Sequence, residues 1–230
     1  MRELILVRHG QSTNNLLWEQ TGSDSGRDSD CQLTDLGLQQ AETTAKALAD
    51  GYFGSRPTHL YTSLMTRAVQ TAAPIARQLD LDLVAHPEVF EMSGVFSFHP
   101  ETGERVAVPG AGRQALTRIS DRLVWPQGHD EAGWWSGVPE DAERDAVARA
   151  ARVLAELDAR HSGDDVVAVV THGAFSQYLV RDLLRITGMN GWFQVMNCAV
   201  SRFARNPDYD NWTLNWLARF DHLVPGLVSE

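Results

Sequence analysis

Two short apolar runs in this chain share an unusual continuation, because each leads into a His-Gly pair. Residues 4–7 precede Arg8 and the pair His9-Gly10, and residues 166–170 precede Thr171 and the pair His172-Gly173. Short runs rich in β-branched residues are typical of strands buried on both faces of a parallel sheet. The sequence therefore predicts two interior strands, each with a histidine and a glycine just beyond its carboxyl end.

The remainder of the chain predicts an alternation of helices and strands. Apolar residues at helical spacing predict helices over 38–49, 68–79, 147–157 and 175–184, the first with Thr34 as N-cap. Further strands are predicted over 59–61, 81–84, 200–205 and 212–220. Such alternation indicates an α/β fold, here a three-layer sandwich in which helices flank a mostly parallel central sheet.

Residues 93–139 interrupt this alternation. The segment is rich in glycine and proline and contains several aromatic residues, so we interpret it as an inserted cap within a single domain spanning 1–230. Its aromatic residues would either form a satellite core or wall a pocket above the functional site. Arg105 and Arg113 would either meet a second anionic group of a ligand or lie at the surface.

Composition narrows the classes of partner. The formal net charge of −10 disfavours general binding to nucleic acids or to anionic membranes. No apolar run approaches the roughly 20 residues that cross a bilayer, and the first residues lack a signal-peptide layout. Cys31 and Cys198 lie far apart and suggest free thiols. We expect a cytoplasmic protein with no membrane or nucleic-acid partner, and leave a homodimer open.

The predicted topology brings basic side chains to one edge of the sheet. If both strands are parallel, His9 and His172 lie together at their carboxyl ends, where ligands of open α/β sheets bind. Arg67 opens the helix that follows the 59–61 strand and belongs to the same edge. Guanidinium groups bind phosphoryl oxygens, and a neutral imidazole can attack phosphorus. Glycines such as Gly173 let backbone N–H groups approach such a ligand closely.

Two alternatives remain at this point. Each histidine could be a hydrogen-bonded structural residue, although the arrangement after two strands argues against it. His9 and His172 could instead bind a metal ion, but zinc would need a third ligand and the adjacent Arg8 cation would oppose a divalent ion. We expect no metal and no cofactor.

Four motifs, in this order, resemble the histidine phosphatase superfamily, which includes the cofactor-dependent phosphoglycerate mutases. The motifs cover most of the chain outside 93–139, and they are LVRHGQS at 6–12 followed by Asn15, LTDLG at 33–37, SLMTRAVQTA at 63–72 and THG at 171–173. The resemblance implies a phosphohistidine mechanism in which His9 is the nucleophile and Asn15 lines the phosphate loop. The side chains that it implies for binding the phosphoryl oxygens are Arg8, Arg67 and His172.

The resemblance also implies a carboxylic acid that protonates the leaving oxygen. Glu91 fits that position best by spacing, and Glu88 is the competitor. The segment 91–96, EMSGVF, departs from the ERHYG-like continuation of the mutases. We therefore expect a metal-independent phosphomonoesterase acting on a small phosphorylated metabolite. The alternatives are a phosphoglycerate mutase-type phosphotransferase and a catalytically silent module that binds a phosphorylated ligand.

Overall fold

The computed structural model describes residues 1–135, 137, 143–206, 208–209 and 211–230. Its strands are β1 (Glu3–Arg8), β2 (His59–Thr62), β3 (Leu83–Ala85), β4 (Phe96–Phe98), β5 (Arg105–Ala107), β6 (Leu123–Val124), β7 (Val166–Thr171), β8 (Val200–Asn206) and β9 (Asn211–Arg219). Its α-helices are α1 (Thr13–Thr21), α2 (Asp35–Ala49), α3 (Thr66–Leu79), α4 (Arg113–Thr117), α5 (Glu143–Arg160) and α6 (Gly173–Leu183). Within the described residues, no helix is both long enough and apolar enough to span a bilayer.

The central sheet has the strand order β6-β3-β2-β7-β1-β8-β9. The first five strands of that order run parallel. Strand β8 pairs antiparallel with β1, and β9 pairs antiparallel with β8. Strand β7 pairs with β1 on one side and β2 on the other, so that Val170 lies opposite both Val7 and Thr62. This register brings the carboxyl ends of the three central strands side by side.

The core lies on both faces of this sheet. Along β1, Ile5 and Val7 point into a cluster that contains residues of α2 and α3, whereas Leu4 and Leu6 point into a cluster that contains residues of α5 and α6. Alternate residues of a strand project to opposite faces, so both faces of β1 are covered by helices. The predicted three-layer α/β architecture is confirmed. Because both faces of β1 are covered, this strand holds the residues that follow it, His9 and Gly10, in a fixed position.

The segment that interrupts the alternation is joined to the main sheet. It contains the β4–β5 hairpin and α4, and its strand β6 pairs with β3 at the sheet edge. Trp134 and Trp135 are buried in the same cluster as α2 and α3 and contact the ring of Phe90. Gly94 leaves room for this packing, because a Cβ there would lie 2.1 Å from the Trp135 ring. Ser136, Val138 and Pro139, at the end of the predicted cap, lie outside the described residues.

Candidate active site

The carboxyl ends of β1, β2 and β7 bring together the basic side chains predicted from the sequence. His9 follows β1, His172 follows β7, and Arg67 lies in the first turn of α3, which follows β2. The centroids of the two imidazole rings are 5.1 Å apart. The Arg67 Nε atom is 3.2 Å from His9 Nε2. The structure therefore gathers these three residues around one point at the edge of the sheet.

The imidazole of His9 is held in one tautomer. Its Nδ1–H group donates a hydrogen bond of 2.7 Å to the carbonyl oxygen of Gly10, which leaves the lone pair on Nε2, where it accepts the hydrogen bond from Arg67 Nε. Burial, and after it the positive charges of Arg67 and Arg8, hold the pKa of His9 well below its usual range. The ring is therefore neutral at physiological pH, and Nε2 is its nucleophilic atom.

His172 is held in a complementary way. Its Nε2 lies 2.9 Å from the hydroxyl of Ser63, and that hydroxyl accepts a hydrogen bond from the backbone N–H of Met65. The Ser63 hydroxyl has no other acceptor among the described residues, so we assign its proton to Nε2 and the proton of a neutral His172 ring to Nδ1. Burial and the nearby Arg67 charge hold the pKa of His172 well below its usual range. Nδ1 is buried and has no hydrogen-bond partner among the described residues, which suits a donor to a phosphoryl oxygen.

Arg8 lies across the start of α6. One terminal nitrogen, Nη1, donates to the carbonyl oxygen of Val195, while Nε is buried and unpaired within the described part of the chain. Gly173 permits this position, because a Cβ there would lie 3.3 Å from Arg8 Nε. A buried guanidinium N–H without a protein acceptor is costly unless a ligand supplies one. The unpaired Nε therefore fits an oxyanion.

The loop after β1 is fixed by hydrogen bonds that its backbone donates to side chains of α2 and α3. The backbone N–H of Gly10 donates to the Thr71 hydroxyl at 3.0 Å, and that of Gln11 donates to the Gln40 side-chain oxygen at 2.8 Å. At Gly37 a Cβ would lie 2.1 Å from the carbonyl oxygen of Gln11, so the first turn of α2 packs directly on the loop. The motifs at 33–37 and 63–72 therefore hold the loop that carries His9.

Asn15 faces the same site from the first turn of α1. Its Oδ1 accepts hydrogen bonds from the Ser12 backbone N–H at 3.1 Å and from Asn197 Nδ2 at 3.4 Å, which leaves its own amino group as a donor. Asn197 Nδ2 also donates to the His9 carbonyl oxygen at 3.2 Å. Asn197 belongs to no motif that we recognised in the sequence, so its support of the loop that carries His9 emerges only from the structure.

The two candidate acids lie in different environments. The Oε1 atom of Glu91 accepts hydrogen bonds from the backbone N–H groups of Met92 and Phe175, each at 2.9 Å, and Oε2 accepts one from Ala174 at 3.2 Å. Oε2 thus has the greater remaining capacity to carry a proton. Glu88 instead forms an ion pair of 2.9 Å with the exposed Arg152. The structure places Glu91, and not Glu88, at the start of α6 beside Gly173.

A buried arginine that the sequence analysis missed holds the Glu91 segment. Arg149 of α5 donates from Nη1 to the carbonyl oxygens of Glu88 at 2.7 Å and Phe90 at 2.8 Å. Its guanidinium lies 3.7 Å from the centroid of the Phe90 ring and 3.9 Å from that of Phe175. An arginine on the otherwise apolar face of a predicted helix was the signal that could have revealed it.

A cavity of about 730 Å³ adjoins these groups. Four residues of the predicted site line it, Arg8, Asn15, Glu91 and Gly173, whereas the buried His9, Arg67 and His172 do not. Its walls come from α1, from the segment between α6 and β8 and from the end of the described chain, with Trp18, Glu19, Trp192, Phe193, Met196 and Glu230 among them. None of the described residues of 93–139 lines it. Trp134 and Trp135 are core residues, so the aromatic walls come from other segments.

The arginines of the interrupting segment divide between two environments. Arg113 forms an exposed ion pair with Glu131. Arg105 donates to the Ser93 hydroxyl at 2.7 Å and lies 4.9 Å from the centroid of the Phe96 ring, which Arg27 approaches to 4.1 Å. Burial, and the neighbouring Arg67 charge among other groups, lower the pKa of Arg27. A second group of cations therefore adjoins the site, outside the lining of the large cavity.

Comparison with known proteins agrees with this fold. Residues 4–218 match the histidine phosphatase superfamily (branch 1). The chain belongs to this superfamily, as its four motifs predicted.

Individual relatives include phosphatases and mutases. The metal-independent phosphoserine phosphatase of Arabidopsis thaliana is 29% identical over 86% of this chain and 74% of its own length. A 2,3-bisphosphoglycerate-dependent phosphoglycerate mutase of Rhizobium rhizogenes is 31% identical over 80% of each chain. A probable fructose-2,6-bisphosphatase, TIGAR A, of Danio rerio is 38% identical over 39% of this chain, and the match spans only 34% of that relative.

A solved structure shares the fold. The phosphoserine phosphatase of Entamoeba histolytica, in complex with phosphoserine, superposes with a TM-score of 0.63 at 22% identity, covering 97% of this chain and all of that chain.

Proposed function

We propose that the protein is a metal-independent phosphomonoesterase that acts on a small phosphorylated metabolite through a phosphohistidine intermediate. The observation that carries the proposal is the state of His9. Its neutral ring presents a nucleophilic Nε2 beside the Arg67 guanidinium, with the unpaired Arg8 Nε and His172 Nδ1 available for phosphoryl oxygens. This arrangement supplies aligned attack and charge stabilisation from the protein's own side chains.

In the first half-reaction, His9 Nε2 forms a bond to phosphorus as the bond from phosphorus to the leaving oxygen breaks. Glu91, as the carboxylic acid, transfers its proton from Oε2 to that oxygen, and the alcohol departs. Arg8, Arg67 and His172 stabilise the charge on the phosphoryl oxygens, and the Asn15 amino group donates a further hydrogen bond.

In the second half-reaction, the ionised Glu91 accepts a proton from water as the water oxygen bonds to phosphorus. The bond between phosphorus and Nε2 breaks, inorganic phosphate leaves, and both His9 and Glu91 return to their starting states. Transfer to a second hydroxyl instead of water would make the protein a mutase, an activity that the Rhizobium rhizogenes relative represents. The departure at 91–96 from the mutase pattern favours hydrolysis.

The proposal is tested by Glu91→Gln, with Glu88→Gln as the matched control. A general acid contributes about 10²–10⁴-fold when the leaving oxygen is basic. We expect Glu91→Gln to slow hydrolysis of an alkyl phosphate far more than release of nitrophenol from p-nitrophenyl phosphate, whose phenolate leaves without a proton. Rapid mixing should show a burst of nitrophenol and an acid-labile phosphate on the enzyme that His9→Ala abolishes.

Equal losses on both substrates without a burst would remove Glu91 from the mechanism. If Glu88→Gln instead slows only the alkyl phosphate, Glu88 is the acid. Phosphoryl transfer that requires 2,3-bisphosphoglycerate and outpaces hydrolysis would favour the mutase. Absence of turnover with every ester would favour the silent binding module.

Three further properties belong to the proposal. A single functional unit over 1–230 is supported by the pairing of β6 with β3. A cytoplasmic location is supported by the buried, free Cys31 and Cys198. A homodimer is supported by the exposed Trp216 on β9, at the edge of the described sheet, and light scattering on the purified chain tests it.

A further inference from the structure

The leaving group of the proposed reaction has a defined place in the structure. General acid catalysis requires the leaving oxygen to come within about 2.6–3.2 Å of the Glu91 carboxyl group. Glu91 lines the cavity of about 730 Å³, whereas Arg27, Phe96 and Arg105 do not. If the proposed function holds, the alcohol that departs therefore occupies this cavity, and the chemistry of its walls selects the substrate.

Two indole rings form part of those walls. Trp18 of α1 and Trp192, which follows α6, both line the cavity, and they are 56% and 59% exposed. Trp192 is positioned by the buried Tyr178, whose ring meets it edge to face at a centroid distance of 6.0 Å. Aromatic side chains that line a concave site and remain accessible are characteristic of ligand recognition.

Acidic side chains outnumber basic ones in the lining of the cavity. Glu19, Glu91 and Glu230 line it, and Arg8 is the one cationic side chain among the described lining residues. Glu19 accepts a hydrogen bond of 3.3 Å from the Gln11 amide, and Glu230 accepts one from Gln194. Neither hydrogen bond comes from a basic group, although the charge of Glu230 also acts on the Arg8 guanidinium. A carboxylate on the leaving group would be repelled here, whereas a cation would be attracted.

We propose that the substrate is the phosphomonoester of an amino alcohol. Its phosphoryl group binds Arg8, Arg67 and His172, and its substituted ammonium group contacts the indole faces of Trp18 and Trp192. The carboxylates of Glu19 and Glu230 balance its charge. Quaternary and alkylated ammonium groups are recognised by tryptophan faces through cation–π attraction, and nearby carboxylates add to it.

A matched pair of esters tests this proposal. Phosphocholine and 3,3-dimethylbutyl phosphate have the same shape and differ in the charge of the terminal group. The ammonium also makes choline the better leaving group, so the change of the ratio in variants of the cavity walls measures recognition. We expect kcat/KM to be about 5- to 30-fold higher for phosphocholine, the range expected from cation–π attraction at a partly desolvated site. Glu19→Gln and Trp192→Leu should each reduce this ratio. Glu101→Gln and Trp216→Leu, which change exposed residues outside the cavity, should leave the ratio unchanged.

A ratio near one in the wild-type protein would overturn the proposal, since the walls would then select shape alone. Preference for 3-phosphoglycerate over both esters would also overturn it, and would direct attention to Arg27 and Arg105. The binding arm uses His9→Ala, in which calorimetric titration should show tighter binding of phosphocholine than of 3,3-dimethylbutyl phosphate. This arm is independent of turnover, so failure of the wild-type protein to hydrolyse p-nitrophenyl phosphate refutes the phosphatase and not the ligand class.

Discussion

Replacement of Arg149 by methionine should reduce both stability and acid catalysis. Arg149 is 2% exposed and donates to the carbonyl oxygens of Glu88 and Phe90, the residues just before Glu91. Methionine retains the apolar stem between the two aromatic rings but leaves both carbonyl groups without this donor. We therefore expect the segment that carries the proposed acid to lose its fixed position.

The size of the stability change follows from those contacts. Each hydrogen bond from a charged donor contributes about 1.5–3 kcal/mol, and removal of a buried cation recovers part of its desolvation cost. A net loss of about 2–4 kcal/mol in the free energy of unfolding is expected. For a chain of this length, this loss lowers Tm by roughly 4–16 °C. Arg152→Met is the matched control, because its exposed ion pair with Glu88 contributes less than about 1 kcal/mol.

Kinetics separate positioning of Glu91 from stability alone. At a temperature where the variant remains folded, kcat/KM for an alkyl phosphate relative to p-nitrophenyl phosphate should fall about 10-fold or more, part of the roughly 10²–10⁴-fold contribution of a general acid. Arg149→Lys should recover part of this ratio, because it restores a charged donor. If the ratio is unchanged in Arg149→Met while Tm falls, Arg149 stabilises the fold and does not position Glu91.

Three other outcomes are expected. Turnover should survive exhaustive treatment with EDTA. Among the described residues, one group of candidate metal ligands was found, His59, His161 and Asp165, and it lies at the amino ends of β2 and β7, opposite the edge that carries His9. Loss of activity restored by zinc or magnesium would contradict this. Trp135→Ala should cost about 3–5 kcal/mol, measured by urea unfolding, without selectively raising KM for bulky esters, since Trp135 packs on Phe90 in the core. Burial lowers the pKa of His222 to about 4, so protonation of this side chain in the unfolded chain reduces the stability of the fold as the pH falls from about 6.5 towards 4. His222→Gln should therefore reduce the loss of unfolding free energy between pH 7 and pH 4.5 by about 2–3 kcal/mol. An unchanged loss would refute this assignment.

The sequence predicted the central architecture because buried parallel strands and the helices that cover them carry strong periodic patterns. The continuous apolar runs of β1 and β7 and the helical spacing in α2, α3 and α6 all lie where the structure has these elements. The β-αβ connectivity then placed His9, Arg67 and His172 at one edge, since parallel strands end together. These residues could be predicted because the topology alone brings them together.

Elements with weak patterns were missed. Helix α1 has no fully buried residue, so its sequence shows no apolar stripe. Its start depends on reciprocal hydrogen bonds between Ser12, the N-cap residue, and Asn15. Strands β4, β5 and β6 are two or three residues long, too short to show a periodicity. Contacts between distant segments were also invisible to sequence reasoning. Asn197 reaches the His9 carbonyl, and Arg149 reaches the carbonyls before Glu91, through tertiary packing alone.

The start of α6 links the proposed nucleophile, the proposed phosphate site and the proposed acid. His172 is the N-cap of this helix, and Gly173 leaves space for Arg8 Nε. The next two backbone N–H groups, of Ala174 and Phe175, hold the Glu91 carboxyl group. A single backbone segment therefore contacts both the groups proposed to bind the phosphoryl oxygens and the group proposed to serve the leaving oxygen. Because β7 is paired with both β1 and β2, we expect a shift of this helix start to disturb His9 as well as Glu91.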